Sequence, residues 1–220
     1  MSARDSAHRV VAIDGPAASG KSSVARELAS RIGFDYVNSG AMYRAVTWHV
    51  LQNAIPPDAA DAIGRLVENT RIDCVLGRDG SRILINGVDP EEHLRDDRVN
   101  EEVSSVSSVP RVREILVEKM RAYARDHQVV MEGRDIGSVV FPDTPYKFYI
   151  DASLEVRLRR RQAQGQRDQI AARDRADSSR RASPLIIAED AHVIDSSNLT
   201  IEGVVGEIIG RLKMKGMEIR

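Results

Sequence analysis

Cysteine, lysine and aromatic residues are scarce in this 220-residue chain. Cys74 is the only cysteine, which excludes an internal disulfide framework and fits a reducing compartment. We interpret it as a small apolar residue of a strand rather than a nucleophile. No apolar run reaches the roughly 18 residues that a membrane helix needs, and the N-terminus lacks the layout of a signal peptide. These absences predict a cytoplasmic protein that contacts no membrane.

An excess of positive charge is also missing. The formal net charge is -1, which argues against a chain that coats nucleic acid through bulk charge. Only five of the 32 cationic residues are lysines, and nine of the 27 arginines fall within residues 154–167 and 173–181. Because a guanidinium binds phosphate through two parallel hydrogen bonds, this bias favours a phosphorylated ligand.

Short apolar runs alternate with longer segments of helical periodicity. The alternation predicts an α/β fold, a five-stranded parallel sheet with helices on both faces. The predicted strands are residues 10–13, 34–37, 129–131, 147–150 and 192–194. Helices are predicted at residues 22–32, at about 42–52, after Pro110, after Ser153 and at about 200–212. Residues 72–88 interrupt this order and predict an inserted β-hairpin, which either caps a substrate or adds stability.

A phosphate-binding motif follows the first predicted strand. Residues 15–22 match the Walker A pattern GxxxxGK[ST] at every fixed position, and a predicted helix follows them. Backbone N–H groups of the loop and of the helix N-terminus then converge on one anion site. Lys21 is expected to reach the β and γ phosphates and Ser22 to bind Mg²⁺, so the motif predicts ATP or GTP with Mg²⁺. The predicted phosphate-binding residues are Gly15, Pro16, Ala17, Ala18, Ser19, Gly20, Lys21, Ser22 and Ser23.

Three arginines indicate what accepts the phosphoryl group. A Walker A motif alone leaves kinases, GTPases and motor-type ATPases open, but no NKxD run for guanine is present. Arg44 and Arg134 follow predicted strands, and Arg180 lies near the end of the arginine-rich segment. Ligands of open α/β sheets bind at the carboxyl ends of the strands. Any one of these arginines alone is best explained as a surface residue. The three together predict binding of a second phosphate, that of the acceptor.

These motifs resemble those of the bacterial cytidylate kinases, the CMP and dCMP kinases of the P-loop nucleoside monophosphate kinase group. The resemblance covers almost the whole chain, and residues 132–143 carry its most family-specific motif. The matching runs are residues 13–16, 38–44, 109–114, 132–143, 173–174, 177–178, 180 and 183–185.

The resemblance implies a role for each matching residue. Ser104, Arg113 and Asp135 read the cytosine edge, whose N4 amine suits a carboxylate and whose O2 and N3 suit a hydroxyl or guanidinium. Ser39 and Tyr43 flank that pocket, although Tyr43 is equally well explained as an ordinary half-buried tyrosine. The remaining implied contacts are Arg173 and Asp177 with the ribose, and Arg44, Arg134 and Arg180 with the acceptor phosphate.

The chemistry implied by the resemblance needs no general base. A phosphate monoester is largely ionised at pH 7, because its second pKa lies near 6. Catalysis then consists of alignment and charge neutralisation by Lys21, Mg²⁺ and arginines, among them Arg134 and Arg180. Glu132 resembles an acid that holds Mg²⁺ through water, and a plain strand-end carboxylate is the alternative.

Residues 153–181 are interpreted as a short lid and substrate-contact segment. Arg157 and Arg161 are its best candidates for catalysis, since positions i and i+4 share a helix face. Adenine contacts are expected from the backbone near residues 196–198. We expect one domain over residues 1–220, with a core of about 8–60, 110–152 and 182–220 and a nucleotide-binding lobe at 61–109.

Two alternatives remain open from the sequence. A kinase for UMP or another small acceptor would share the fold and differ at the base-reading residues. A nucleic-acid-binding ATPase could use the arginines of residues 157–181, but that span has no aromatic residue for base stacking. We therefore expect small-molecule substrates, no nucleic-acid partner and a monomer.

Overall fold

The computed structural model describes residues 10–77, 80–163, 170–179 and 185–219. The chain divides into two compact units, Met1–Val37 with Ala124–Arg220, and Asn38–Tyr123. Across the described ranges, none of the helices is both long enough and apolar enough to cross a membrane.

The first unit is built on a five-stranded sheet. Its strands are β1 (Val10–Asp14), β2 (Asp35–Asn38), β5 (Val129–Gly133), β6 (Lys147–Asp151) and β7 (His192–Asp195). The sheet order is β2-β5-β1-β6-β7, and β1 pairs in parallel with both β5 and β6. The register places Asp14 opposite Gly133, so the carboxyl ends of β1 and β5 lie side by side. The predicted five-stranded α/β fold is confirmed.

Burial on both faces of β1 explains why its sequence is a continuous apolar run. Helices α1 (Lys21–Ile32) and α8 (Ile201–Met214) contribute to the core around Val11 and Ile13. The other helices of this unit are α6 (Leu154–Ala163) and α7 (Ile170–Ser179).

The second unit contains the predicted hairpin. Strands β3 (Ile72–Gly77) and β4 (Gly80–Ile85) pair antiparallel, and residues 78–79 between them lie outside the described residues. Helices α2 (Ser39–Gln52), α3 (Ala60–Glu68) and α4 (Asp97–Ser108) accompany it. Helix α2 packs against α4 and β4, so the unit Asn38–Tyr123 is larger than the lobe at 61–109 that the sequence suggests. Helix α5 (Pro110–Asp126) extends from this unit into the first.

Helix α2 begins three residues earlier than predicted. The Asn38 side chain accepts a hydrogen bond from the Ala41 N–H at 3.0 Å and caps the first turn. The Asn-Ser-Gly-Ala run at the end of β2 therefore forms the cap and first turn of the helix. Thr200 caps α8 in the same way, through the Gly203 N–H at 3.1 Å.

Candidate functional site

The Walker A loop joins β1 to α1 and has the backbone that its glycines predict. Gly15, Ala18 and Gly20 have φ values of 153°, 58° and 94°. A Cβ atom at position 15 would lie 2.1 Å from the Ile150 carbonyl oxygen, so no larger residue fits there without a backbone shift. The loop then leads directly into the N-terminus of α1, which begins at Lys21.

Lys21, Ser22 and Glu132 form a cluster at the start of α1 and the end of β5. The Ser22 hydroxyl donates to Glu132 Oε1 at 2.7 Å, and Lys21 Nζ lies 3.9 Å from Glu132 Oε2. Lys21 Nζ also donates to the Pro16 carbonyl at 3.1 Å. Lys21 and Glu132 are both buried, 6% and 3% exposed. The structure thus brings together the predicted phosphate-binding lysine and both predicted metal-binding residues.

Two arginines of α6 hold the carbonyl groups of the phosphate loop. Arg157 donates to the Ala17 carbonyl at 3.3 Å and pairs with Asp174 of α7. Arg160 donates to the Ser19 carbonyl at 3.1 Å and to the Ser196 hydroxyl and carbonyl at 3.1 and 2.8 Å. The Ser196 hydroxyl in turn donates to the Ser19 carbonyl at 2.7 Å. Arg160 therefore connects the loop to the segment at 196–198.

The sequence did not single out Arg160. Positions 157 and 160 are three residues apart and share a helix side, as positions 157 and 161 do, and the sequence alone does not choose between these pairs. Arg161 is half-buried on the same helix, and its lid role stays a prediction.

Replacing Arg160 with alanine is expected to raise the KM for ATP about tenfold, because its hydrogen bond to the Ser19 carbonyl of the loop and its two hydrogen bonds to Ser196 are lost. Arg159→Ala is the matched control, since Arg159 is exposed on the same helix. Steady-state kinetics with varied ATP measures both variants. Equal KM values for the two would contradict a specific role for Arg160.

Asp14 and Asp135 lie at the adjoining ends of β1 and β5, and both are buried. Asp14 accepts the N–H groups of Ile136 and Gly137, both at 2.8 Å. These two residues open a single π-helical turn, Ile136–Val140. Burial raises the pKa of Asp14 to about 7, against the lowering effect of the two backbone hydrogen bonds. The sequence contains Asp14 in a family-like run but gave no signal of this contact.

Arg134 directly follows β5, as predicted, and is paired with an acid of α7. Its Nε donates to Asp177 Oδ2 at 2.9 Å, and the Asp177 side chain is buried. Both residues were predicted to bind substrate, and the structure places them in contact. Of the other two predicted arginines of this region, Arg180 lies outside the described residues, and so does the side chain of Arg173.

The second unit holds the remaining predicted residues. The guanidinium carbon of Arg113 lies 5.2 Å from the centroid of the Tyr43 ring, and both side chains are buried. Arg113 also donates to the Ser107 carbonyl at 3.3 Å. The Tyr43 ring thus packs on a guanidinium.

Ser39 and Arg44 lie on α2, and Ser104 lies on α4. Arg44 Nε donates to Asn100 Oδ1 of α4 at 3.4 Å. Ser39 is buried and Ser104 half-buried. Contacts between α2 and α4 therefore hold these polar side chains in one unit.

Known proteins share this sequence over nearly its whole length. The family model described as cytidylate kinase matches residues 11–214. The chain is 43% identical to a cytidylate kinase of Caldanaerobacter subterraneus subsp. tengcongensis, over 90% of this chain and 92% of the relative. It is 44% identical to a cytidylate kinase of Mycobacterium avium, over 92% and 94% of the two chains. A cytidylate kinase of Clostridium botulinum is 41% identical, over 92% and 97%. With a family match that takes in the Walker A loop, Glu132 and the run after β5, the chain belongs to the cytidylate kinase family.

Proposed function

We propose that this protein transfers the γ-phosphoryl group of ATP to CMP or dCMP, giving ADP and CDP or dCDP. The observation that carries the proposal is the cluster behind the Walker A loop in which the half-buried Ser22 joins the buried Lys21 and Glu132. It occurs in a chain that matches the cytidylate kinase family over residues 11–214.

The donor phosphates bind the N–H groups of the Walker A loop and the N-terminus of α1. Lys21 supplies the positive charge at the β and γ phosphates. In the structure its ammonium group is held by the Pro16 carbonyl and lies near Glu132, so it is already directed toward the loop. Such preorganisation avoids a reorganisation cost when charge develops on the transferring group.

Mg²⁺ fits the residues at the end of β5. Hydroxyl and carboxylate oxygens are the hard ligands that Mg²⁺ prefers, and this ion is usually held by one or two protein groups together with phosphates and water. Ser22 would bind the ion directly and Glu132 through water. No cluster of three or more histidine, cysteine or acidic side chains occurs in the described part of the chain. When bound, Mg²⁺ neutralises charge on the phosphates.

The acceptor is recognised by hydrogen bonds to its base, sugar and phosphate. Asp135 accepts from the cytosine N4 amine, and Ser104 and Arg113 donate to O2 and N3. Ser39 and Tyr43 border the base. The ribose contacts are Arg173 and Asp177, and the acceptor-phosphate contacts are Arg44, Arg134 and Arg180.

The transfer itself moves no proton. An ionised oxygen of the acceptor phosphate attacks the γ phosphorus, a new P–O bond forms and the bond to the β-phosphate oxygen breaks. Lys21 and the arginines, including Arg134 and Arg180, stabilise the charge of the transferring group. Arg157 and Arg161 of α6 act as lid residues, and Arg157 already contacts the loop through the Ala17 carbonyl. Closure of the lid excludes water that would otherwise hydrolyse the γ phosphate.

A panel of acceptors tests the proposal. The protein is incubated with ATP, Mg²⁺ and one of CMP, dCMP, UMP, AMP or dTMP, and ADP release is measured. We expect kcat/KM for CMP or dCMP to exceed that for UMP by about 5- to 150-fold, the equivalent of 1–3 kcal/mol for one mismatched base contact. Turnover of UMP or AMP well above CMP would overturn the proposal.

The same ADP-release assay with RNA or DNA added in place of a nucleotide acceptor tests the nucleic-acid hypothesis. An ATPase that acts on nucleic acid would release ADP only with RNA or DNA, in a manner that weakens steeply with salt. We propose instead a monomeric cytoplasmic enzyme with small nucleotide substrates. The formal net charge of -1 supports this choice.

A further inference from the structure

The turn that follows Asp135 is held by a residue of another strand. Residues 136 and 137 open the π-helical turn Ile136–Val140, and their N–H groups have no partner within a helix that starts there. Asp135 is the N-cap residue of this turn, but its side chain does not cap it. Both N–H groups donate instead to the carboxylate of Asp14, one to each oxygen, at 2.8 Å.

The position of Asp14 connects this turn to the phosphate loop. Asp14 is the last residue of β1, and Gly15, the first Walker A residue, follows it directly. Its partner in the sheet is Gly133, two residues before Asp135. Asp14 is 5% exposed, so water does not compete for its two hydrogen bonds.

We propose that Asp14 is a positioning residue for acceptor recognition: by binding the N–H groups of residues 136 and 137, it fixes the backbone that carries Asp135. The inference rests on the proposed function, in which Asp135 accepts from the cytosine amine. A shift of this backbone misplaces the Asp135 carboxylate against the base, and small misplacements of a binding group have large kinetic effects. The two N–H groups donate to Asp14, whereas the Asp135 side chain makes no cap hydrogen bond to the turn.

Gly137 shows how closely this contact is packed. A Cβ atom at position 137 would lie 3.1 Å from Lys147 Cγ and 3.4 Å from Asp14 Oδ2. An added methyl group therefore crowds the Lys147 side chain and touches Asp14 Oδ2, the oxygen that accepts the hydrogen bond from the Gly137 N–H. Substitution at position 137 therefore crowds the contact with Asp14 from the side of the N–H donors.

The test compares Asp14→Asn and Gly137→Ala with a control that loses a hydrogen bond elsewhere on β1. Asparagine keeps the size of Asp14 but turns an amide NH₂ toward one of the two N–H donors, so one bond is lost. Thr144→Val is the control, since the Thr144 hydroxyl donates to the Val10 carbonyl at 2.6 Å and both are buried. Its loss lowers stability without touching residues 135–137.

For Asp14→Asn and Gly137→Ala we expect the KM for CMP to rise roughly tenfold and the CMP-to-UMP ratio of kcat/KM to fall roughly tenfold. The KM for ATP should change by less than the KM for CMP. Thr144→Val should keep the wild-type CMP-to-UMP ratio even if its melting temperature falls as far as those of Asp14→Asn and Gly137→Ala. Steady-state kinetics with both acceptors measures these quantities, and thermal unfolding reports stability.

Three outcomes overturn the inference. The first is an unchanged CMP-to-UMP ratio in both variants. The second is an equal rise in the KM for ATP and the KM for CMP, which would mean that Asp14 supports the phosphate loop in general. The third is a matching fall of the ratio in Thr144→Val, since stability alone would then explain it. Failure of the proposed function is distinct, because the wild-type protein itself would then show no preference for CMP.

Discussion

Lys21→Met is expected to lower kcat about 10²- to 10³-fold with every acceptor, the usual effect of removing one preorganised donor from a developing charge. Methionine keeps the length of the buried side chain and removes its ammonium group. The loss should appear in kcat with CMP, dCMP and UMP alike, because Lys21 acts on the donor phosphates and not on the base. The KM for CMP should change little.

The structure supplies the reason for so large an effect. Lys21 Nζ lies 3.1 Å from the Pro16 carbonyl oxygen and 3.9 Å from Glu132 Oε2, and Lys21 is 6% exposed. Water cannot take the place of the missing ammonium group at so buried a position. The negative charge that develops during transfer is therefore left without its stabilising partner.

Lys213→Ala serves as the control for Lys21→Met, since Lys213 is exposed on α8. Kinetics of both variants with saturating ATP and CMP, together with their melting temperatures, checks the prediction. A Lys21→Met enzyme that keeps its melting temperature and loses less than about threefold in kcat would contradict it.

The sheet and the phosphate loop could be predicted from the sequence because both follow from local signals. Buried parallel strands give continuous apolar runs such as residues 10–13, and the Walker A spacing is fixed by the backbone that binds phosphate. Gly15 illustrates the second point, since the Ile150 carbonyl excludes a Cβ atom there.

Contacts between distant parts of the chain gave no such signal. The hydrogen bonds of Asp14 join residues more than 120 positions apart, and they depend on the register that places Asp14 opposite Gly133. The contact of Arg160 with Ser19 depends on how α6 is rotated against the loop. Helical spacing groups residues on one side of a helix, but it does not determine which of them faces a neighbour.

The start of α2 shows an intermediate case. Asparagine is a preferred N-cap residue, and the Asn38 cap was therefore open to prediction. The helix was predicted only from about residue 42, and tertiary packing of α2 against α4 and β4 outweighs the cost of the glycine at position 40 in its first turn.

Asp135→Asn is expected to have the second large effect, a change of base preference. An asparagine amide can donate where the carboxylate only accepts, and uracil presents an O4 acceptor where cytosine presents its N4 amine. We expect kcat/KM for CMP to fall, and kcat/KM for UMP to rise relative to the value for CMP. The CMP-to-UMP ratio should shift by about 5- to 150-fold, equivalent to 1–3 kcal/mol.

The effect should be confined to the acceptor. Asp135 is buried three residues after Glu132, and it takes no part in the hydrogen bond between Ser22 and Glu132. The KM for ATP should therefore stay within about threefold of the wild-type value. Equal weakening of ATP and CMP would mean that Asp135 supports the strand end as a whole and does not read the base.

Asp143→Asn provides the matched control for Asp135→Asn, because it removes the same charge eight residues farther on, at an exposed position. If the negative charge near β5 governs acceptor binding through its field, both variants should shift the CMP-to-UMP ratio. If a direct hydrogen bond to N4 governs acceptor binding, only Asp135→Asn should shift the ratio. That shift should persist at high salt, because screening acts little on a buried contact. Measuring the ratio for both variants at low and high ionic strength separates the two causes, and a ratio that responds only to salt would exclude base reading by Asp135.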